Sequence, residues 1–370
     1  GVNASTTTRS KVDDVAALTG YFVLSGKALA RNHAPLSELL RDTLESPRFD
    51  ELDRIRELVA QQRAQREQSV TGNGHVLAML AASAGMSAAS SLAHRLRGLQ
   101  GIRYLKELDD SLEQGDALEA LAENFDRLHR LVRAAPRQFL LISEAERRTR
   151  LEQELEQAWS GIKSGAETIS PFAPSPARHR VREAWLTNTQ VNFCAKAYAT
   201  VPVEHPDAAP LTVLAGFLRN GYLHRAVREQ GGAYGGGASH DSDNAAFRFF
   251  SYRDPRLEET LEDFDRSIAW LLEEKHEWRQ VEEAILGVIG SIDKPASPAG
   301  EARDAFFNQL FGRTPERRAH FRQRVLEVRL DDLRRVGETY LQPERASIAV
   351  ISNPSAEARC RDLGLEIRQL

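Results

Sequence analysis

The sequence predicts an α/β protein of the α+β kind. It is read as two related domains, each pairing a mainly antiparallel sheet with helices packed on one face. Three observations carry this reading. Runs rich in β-branched and aromatic residues bracket long stretches of helical periodicity in each half of the chain. Each half opens on an extended small-residue segment followed by an Ala-Ala pair: GVNASTTT from Gly1 with Ala16-Ala17, and GAYGGGAS from Gly232 with Ala245-Ala246. Each half also closes its helices with an apolar run ending in Ile-Ser, at Ile142-Ser143 and Ile351-Ser352.

The elements follow in order. Residues 3–10 and 14–25 read as strands. From Pro35 to Val132 the apolar positions recur at three and four, with Asp50 a candidate N-cap and the small-residue run 78–93 suited to a closely packed helix. QFLLIS at 138–143 reads as a buried strand, and a helix follows through Trp159. The Gly/Ser/Pro-rich stretch after it reads as a linker, so the boundaries fall at 1–162, 163–183 and 184–370. In the second unit AWLTNTQVNFCAKAYATV is a long strand or hairpin. Asp207 caps a helix that runs to about Glu229, with Pro210 in its first turn and Gly231 stopping it. GAYGGGAS and NAAFRFFSY are strands, four helices span 256–341, and ASIAVIS closes the unit. A strand and a capped helix precede the glycine segment in the second unit and have no counterpart before Gly1. The first unit is therefore expected to lack its opening strand and helix.

Composition narrows the function. The chain has 370 residues, 41% hydrophobic and 28% charged, which is globular rather than disordered. A formal net charge of -4 argues against a general nucleic-acid binder, and no apolar run approaches the roughly 18 residues of a membrane helix. Cys194 and Cys360 are too few for a disulfide framework or a cysteine zinc cage and fit a reducing compartment. The residues leave localisation open, with a weak lean to the cytoplasm.

REQGGAYGGGASHD, 228–241, is the most unusual stretch. It is no phosphate loop: no three of its glycines stand at i, i+2 and i+5, and Gly237 is followed by Ala238 rather than Lys. Taken singly, Arg228 reads as a helix-end arginine and Tyr234 as a strand aromatic, although its flanking glycines supply no packing neighbours. His240 and Asp241 read as a polar turn; His33, His94 and His129 as surface or capping residues; RTPERRAHFRQR, 313–324, as a solvated helix face.

Tyr222-Leu223-His224, then Arg228 through Ala238, then Ser251-Tyr252-Arg253-Asp254-Pro255 together resemble the pitrilysin/insulinase zinc peptidases, in their presequence protease branch. Asp293-Lys294-Pro295-Ala296-Ser297-Pro298 is similar to that branch's break between two helices, and Ser46-Pro47-Arg48-Phe49 and Gly74-His75 carry weaker similarity. The resemblance implies four repeated domains in two halves around a peptide chamber, with this chain as the third and fourth. It implies that the zinc motif H-x-x-E-H lies in the N-terminal half. Here VPVEH at 201–205 has Val201 in place of the first His, and HEWRQ at 276–280 ends in Gln280, so no metal is expected in this chain.

The resemblance further implies that Arg228 and Tyr234 reach the scissile peptide from the side opposite the zinc. They would act as donors to developing oxyanion charge, with Gly232, Ala233, Gly235, Gly236 and Gly237 contacting an extended substrate. The implied function is the C-terminal half of a zinc-dependent endopeptidase for unstructured peptides, inactive alone and partnered by the N-terminal catalytic half. The alternative is a non-catalytic peptide-binding subunit of the same fold, working with a separate zinc-bearing chain. Neither reading involves nucleic acid or membrane.

Overall fold

The computed structural model describes residues 1–162 and 178–370. The first run begins with an antiparallel hairpin, β1 (Val2–Ser10) and β2 (Leu18–Gly26), whose Thr-rich register pairs Thr6 with Phe22. Five helices follow: α1 (His33–Glu45), α2 (Leu52–Ser83), α3 (Ala88–Arg97), α4 (Leu99–Ser111) and α5 (Ala117–Ala134), with α6 (Arg148–Trp159) after a short 3-10 turn. Asp50 does not cap α2, whose N-cap is Glu51; its carboxylate is taken by the Arg48 guanidinium. Most of the linker expected at 163–183 lies outside the described residues, and β3 begins at Arg182.

The second run contains β3 (Arg182–Leu186), β4 (Phe193–Ala199), α7 (Ala208–Leu218) and a π-helix over Arg219–Gln230. Then come the hairpin β5 (Gly235–Asp241) and β6 (Ala246–Tyr252), and the helices α8 (Glu258–Glu273), α9 (Trp278–Ile292), α10 (Pro298–Leu310), α11 (Pro315–Glu327) and α12 (Leu330–Tyr340). β7 (Ser347–Ser352), a 3-10 turn, α13 (Glu357–Asp362) and β8 (Glu366–Gln369) complete it. Hairpin, five helices, apolar segment, 3-10 turn and helix thus occur twice in the same order, which is the repeat seen in the sequence.

The six strands β3–β8 form one mixed sheet in the order β5-β6-β4-β7-β3-β8. Three of its five pairings are antiparallel; β3 runs parallel to β7 and to β8. The expectation of one long strand or hairpin over 184–201 is corrected here. β7 lies between β3 and β4, because its SIAVIS side chains are buried on both faces and demand a central position.

α7, α8, α9, α11 and α12 cover one face of this sheet, around Leu211, Leu214, Phe247, Phe249 and Phe264. The other face is covered by the first unit: α2 and α4 bring Val70, Leu77, Ala78, Ala81, Leu99 and Ile102 against Trp185, Phe193, Ala195, Ala349 and Ile351. Alternate residues of β4 therefore serve two cores, which explains its run of buried residues where a one-sided strand would alternate. α2 bends at Asn73, and Gly74 lies against the Phe193 ring, where a Cβ would come within 2.6 Å.

Three further expectations are corrected. QFLLIS, 138–143, is neither paired nor buried: Phe139, Leu140, Leu141 and Ile142 are 49%, 39%, 37% and 41% exposed. Asp207 stands at the α7 N-cap without bonding its backbone; it accepts instead from Arg335 Nη1 at 2.7 Å and the Tyr340 hydroxyl at 2.7 Å. His94 is 5% exposed, its ring 6.1 Å from that of Trp185.

His94 makes acid stability testable. Burial, reinforced by the nearby Arg103 guanidinium, pushes its imidazole down from 6.5 to about 4. The folded state then binds fewer protons than the unfolded chain inside that window. The contribution is whole above the ordinary histidine value and is lost as pH falls through the window, at up to about 1.4 kcal/mol per pH unit. His94→Gln is expected to reduce this acid sensitivity, so the urea midpoints of the two proteins converge between pH 7.5 and pH 4.5. An equal gap at both pH values would refute the linkage.

Candidate active site

The site is built where the π-helix meets β5. The sequence shows one continuous helix to Glu229, but the backbone changes from α to π geometry at Arg219. Leu223, Ala226 and Val227 face the core, and Tyr222 lies 5.9 Å from the Trp270 ring. Gly221 sits so close to that indole that a Cβ would collide with it. His224, Arg228 and Glu229 are left on the exposed side. Arg228 Nη1 is 3.4 Å from His224 Nε2, and His224 Nδ1 is 3.4 Å from the Glu229 carboxylate. A π-helical stretch is uncommon and often marks a functional segment.

The helix stops at Gly231 as expected, but the left-handed turn falls one residue later. Gly231 keeps φ -81°, while Gly232 adopts φ +79°, the conformation that only glycine takes without strain. Gly231 is required for a different reason: a Cβ there would come within 2.6 Å of the Val227 carbonyl oxygen, besides falling on the Arg256 guanidinium. Arg256 bonds the Ala226 carbonyl at 3.3 Å and Asp263 at 2.9 Å, and so ties the end of the π-helix to α8. Gly232 N donates to Arg228 O and Ala233 N to Val227 O, each at 3.1 Å. These two bonds fix the backbone between Arg228 and Tyr234.

Tyr234 lies in a bend just before β5 rather than on the strand, and it is 70% exposed. Its N–H donates to Arg253 O at 3.3 Å. Its ring stands edge-on to Tyr252, centroids 5.6 Å apart at 83°. Tyr252 is itself held by His75 of α2 at 4.7 Å, by Phe193 at 5.9 Å and by the Arg253 guanidinium at 5.3 Å. Among the described residues nothing bonds the Tyr234 hydroxyl. The ring is thus braced by Tyr252 while most of the side chain stays exposed.

The remaining glycines divide between two tasks. A Cβ on Gly236 would meet Val227 Cγ1 at 2.6 Å, and one on Gly237 would meet Arg219 at 3.0 Å, so both let the π-helix pack directly on β5. Gly235 has nothing closer than Tyr252 Cβ at 3.9 Å. β5 is an edge strand, so its outer backbone groups face away from the sheet.

His240 and Asp241 belong to β5, not to a turn. The His240 ring lies between the hydroxyls of Thr200 at 3.2 Å and Thr212 at 3.0 Å, and burial lowers it to about 4. Asp241 pairs with Arg248 at 2.7 Å and accepts from the N–H groups of Asp243 and Asn244 at the hairpin tip. Both are structural.

Tyr252 and Arg253 carry no assigned task in the sequence, and Arg256 went unnoticed there. The available signal was the run SYRDPR. Its Asp254 is fully buried, accepts from Arg256 N at 3.0 Å and Thr260 Oγ1 at 2.8 Å, and locks the loop that carries Arg253. The basic run 313–324 is largely engaged with the protein: Arg322 pairs with Asp293, Arg324 bonds the carbonyls of Val203 and His205, and Arg313 pairs with Asp243.

The residues do not fit zinc. Among those described, no three His, Cys, Asp or Glu side chains are placed to hold a metal ion. In VPVEH, His205 Nδ1 accepts from Asp207 N at 3.1 Å, and Arg317 approaches the Glu204 carboxylate. In HEWRQ, His276 Nε2 is spent on the carbonyls of Trp270 and Leu271. Cys194 and Cys360 are buried free thiols. No helix among the described residues is long and apolar enough to cross a membrane.

Comparison with known proteins agrees with this architecture. Residues 1–108 match the family described as associated with peptidase M16, subfamily C, and residues 182–351 match the PreP C-terminal domain. The chain is 29% identical over 335 residues to the mitochondrial presequence protease of Yarrowia lipolytica, covering 89% of this chain and 33% of that protein. It is 26% identical over 363 residues to that of Schizosaccharomyces pombe, covering 96% and 36%. It therefore spans about a third of the length of these relatives.

Among solved structures, a protease from Helicobacter pylori superposes with TM-score 0.64 at 13% identity, covering 96% of this chain and 82% of that one. A peptidase M16 inactive domain from Pseudomonas fluorescens gives 0.59 at 15%, covering 95% and 81%. These two bear on the fold alone. Together the matches make this a presequence-protease-like M16 chain, corresponding to the C-terminal half.

Proposed function

We propose that this chain is the substrate-contacting half of a zinc-dependent endopeptidase that degrades unstructured peptides. Arg228 and Tyr234 act as donors to the peptide oxygen as it gains negative charge. The observation that carries the proposal is the setting of Tyr234: an exposed ring held by Tyr252, with a hydroxyl that has no partner among the described residues, next to Gly235, which has open space around it. A free phenol projecting from a braced ring is arranged for a ligand rather than for the core. With the Arg228 guanidinium also exposed at the π-helix end, the chain offers two donors without a nucleophile, which suits stabilisation of an oxyanion.

Gly232 and Ala233 shape the turn that presents the phenol. Gly235 leaves room for a main chain to approach β5, where an extended peptide can bond an edge strand. Gly236 and Gly237 serve this only indirectly, by letting the π-helix lie close behind the strand. Zinc would come from the N-terminal half, and these residues hold none. A separate zinc-bearing chain is the second reading, and the missing zinc ligands are equally compatible with it.

Purified alone, the 370-residue chain is expected to hold no stoichiometric zinc and to show no chelator-sensitive hydrolysis of a short unstructured peptide. The same peptide, carrying a fluorophore, is expected to bind with an affinity that falls on Arg228→Ala. One tightly held zinc per chain with peptide cleavage, or peptide binding indifferent to Arg228, would overturn the assignment.

A further inference from the structure

We propose that His224, held by Glu229, is a positioning residue for Arg228: the imidazole steers the guanidinium while neutral and releases it when protonated. What Arg228 then meets is taken from the substrate-contacting reading above, on which this role rests.

The sequence places the three residues at 224, 228 and 229. In an α-helix residues four apart share a face, but residues five apart stand about 140° round the axis. Glu229 would then turn away from His224. The π-helix over Arg219–Gln230 closes its backbone bonds to the fifth residue, so residues five apart come to lie one turn above another. All three side chains are exposed on one side, while Leu223, Ala226 and Val227 are buried on the other. Arg228 Nη1 stands 3.4 Å from His224 Nε2, and His224 Nδ1 stands 3.4 Å from the Glu229 carboxylate. The change from α to π geometry thus sets the imidazole between a cation and an anion.

Proton positions fix the roles. A guanidinium only donates, so Nε2 is the accepting nitrogen and the ring proton sits on Nδ1, towards Glu229. An imidazole orients Arg228 without neutralising it, whereas a carboxylate in its place would compete with the peptide oxygen for its charge. A proton added to Nε2 turns the acceptor into a donor and sets two cations against each other. Among the described residues, Glu229 supplies the one carboxylate in ion-pair reach of the ring. α7, α8 and β5 pack on the π-helix. α7 carries no titratable side chain. α8 commits Glu258, Glu262, Asp263 and Asp265 to Arg359, Arg266, Arg256 and Lys196 respectively. β5 commits His240 to Thr200 and Thr212, and Asp241 to Arg248.

Nitrogen-15 NMR of the histidine-labelled 370-residue chain reads the tautomer directly, with His224 assigned by the resonance missing from His224→Gln. His224 is expected mainly as the Nδ1–H form, against the Nε2–H form that an unrestrained imidazole favours in water. Glu229→Ala should return it towards the latter. Binding of a capped, uncharged fluorescent peptide is expected to weaken about threefold between about pH 8 and about pH 5.5, where histidines change charge, the scale of one exposed polar contact. His224→Ala should weaken binding to a similar extent at the higher pH. His224→Gln keeps an accepting oxygen but no titration, so it should recover most of that loss and bind alike at both pH values. An Nε2–H tautomer, or one indifferent to Glu229, would overturn the proposal. So would a pH response that survives in His224→Gln. The Nδ1–H tautomer in a chain whose peptide binding ignores Arg228 would support the positioning role and remove the substrate-contacting reading alone.

Discussion

Tyr234→Phe, made in zinc-loaded full-length protein, is expected to lower kcat by roughly 10²-fold or more, the usual cost of deleting one oxyanion donor. The fold should not notice. The hydroxyl has no partner among the described residues, and the ring contact to Tyr252 is kept. KM should move less than kcat, because the bond strengthens only as charge develops on the peptide oxygen. Arg228→Lys retains the charge but loses the planar fork, so turnover should fall there too. Steady-state kinetics on a short peptide, with zinc occupancy and thermal midpoint measured in parallel, decide the matter. Wild-type kcat in the Phe variant would make Tyr234 a surface aromatic and remove the catalytic part of the proposal.

Phe193→Ala is expected to cost about 3–5 kcal/mol of stability, the range for emptying a fully buried aromatic site. Phe193 is 0% exposed and stands where the two units meet. Its ring lies under Gly74 of α2 and 5.9 Å from Tyr252, so the cavity opens beneath the residue that braces Tyr234. Two effects should therefore appear together: a lower urea midpoint, and weakened peptide turnover even at temperatures where the variant is folded. Phe193→Leu, which refills most of the volume, should recover much of the stability. A loss below about 1 kcal/mol for the alanine variant would mean that α2 is not clamped to the sheet through this ring.

Much of the fold was legible because periodicity reports which side of an element is buried. The hairpins, the helical stretch from Pro35 to Val132 and four of the five helices α8–α12 emerged from it, whereas the Asp293–Ser297 break between α9 and α10 came from the family resemblance. The glycine segment was legible for the same reason, since a helix ending in Gly-Gly before a strand has few other readings. Periodicity does not report neighbours. SIAVIS and QFLLIS look alike as sequence, yet the first is a central strand and the second is exposed, because a strand exists only where partners accept its backbone. The same limit hid the insertion of β7 between β3 and β4. It also hid the change from α to π geometry at Arg219, where the apolar spacing of Leu223 and Val227 serves either helix.

By itself, then, the sequence determined the repeat and the lack of H-x-x-E-H within these 370 residues, and through the resemblance it singled out Arg228 and Tyr234 as candidates. These are matters of residue identity and order along the chain. The tertiary structure decided why each glycine is a glycine: Gly231 beneath Arg256, Gly232 at φ +79°, Gly236 against Val227, and Gly235 alone open. It also decided that the first unit's α2 holds Tyr252, and through it Tyr234, by way of His75 and Phe193. Those contacts join residues far apart along the chain, and they exist only because burying α2 on the second sheet removes apolar surface of both units from water.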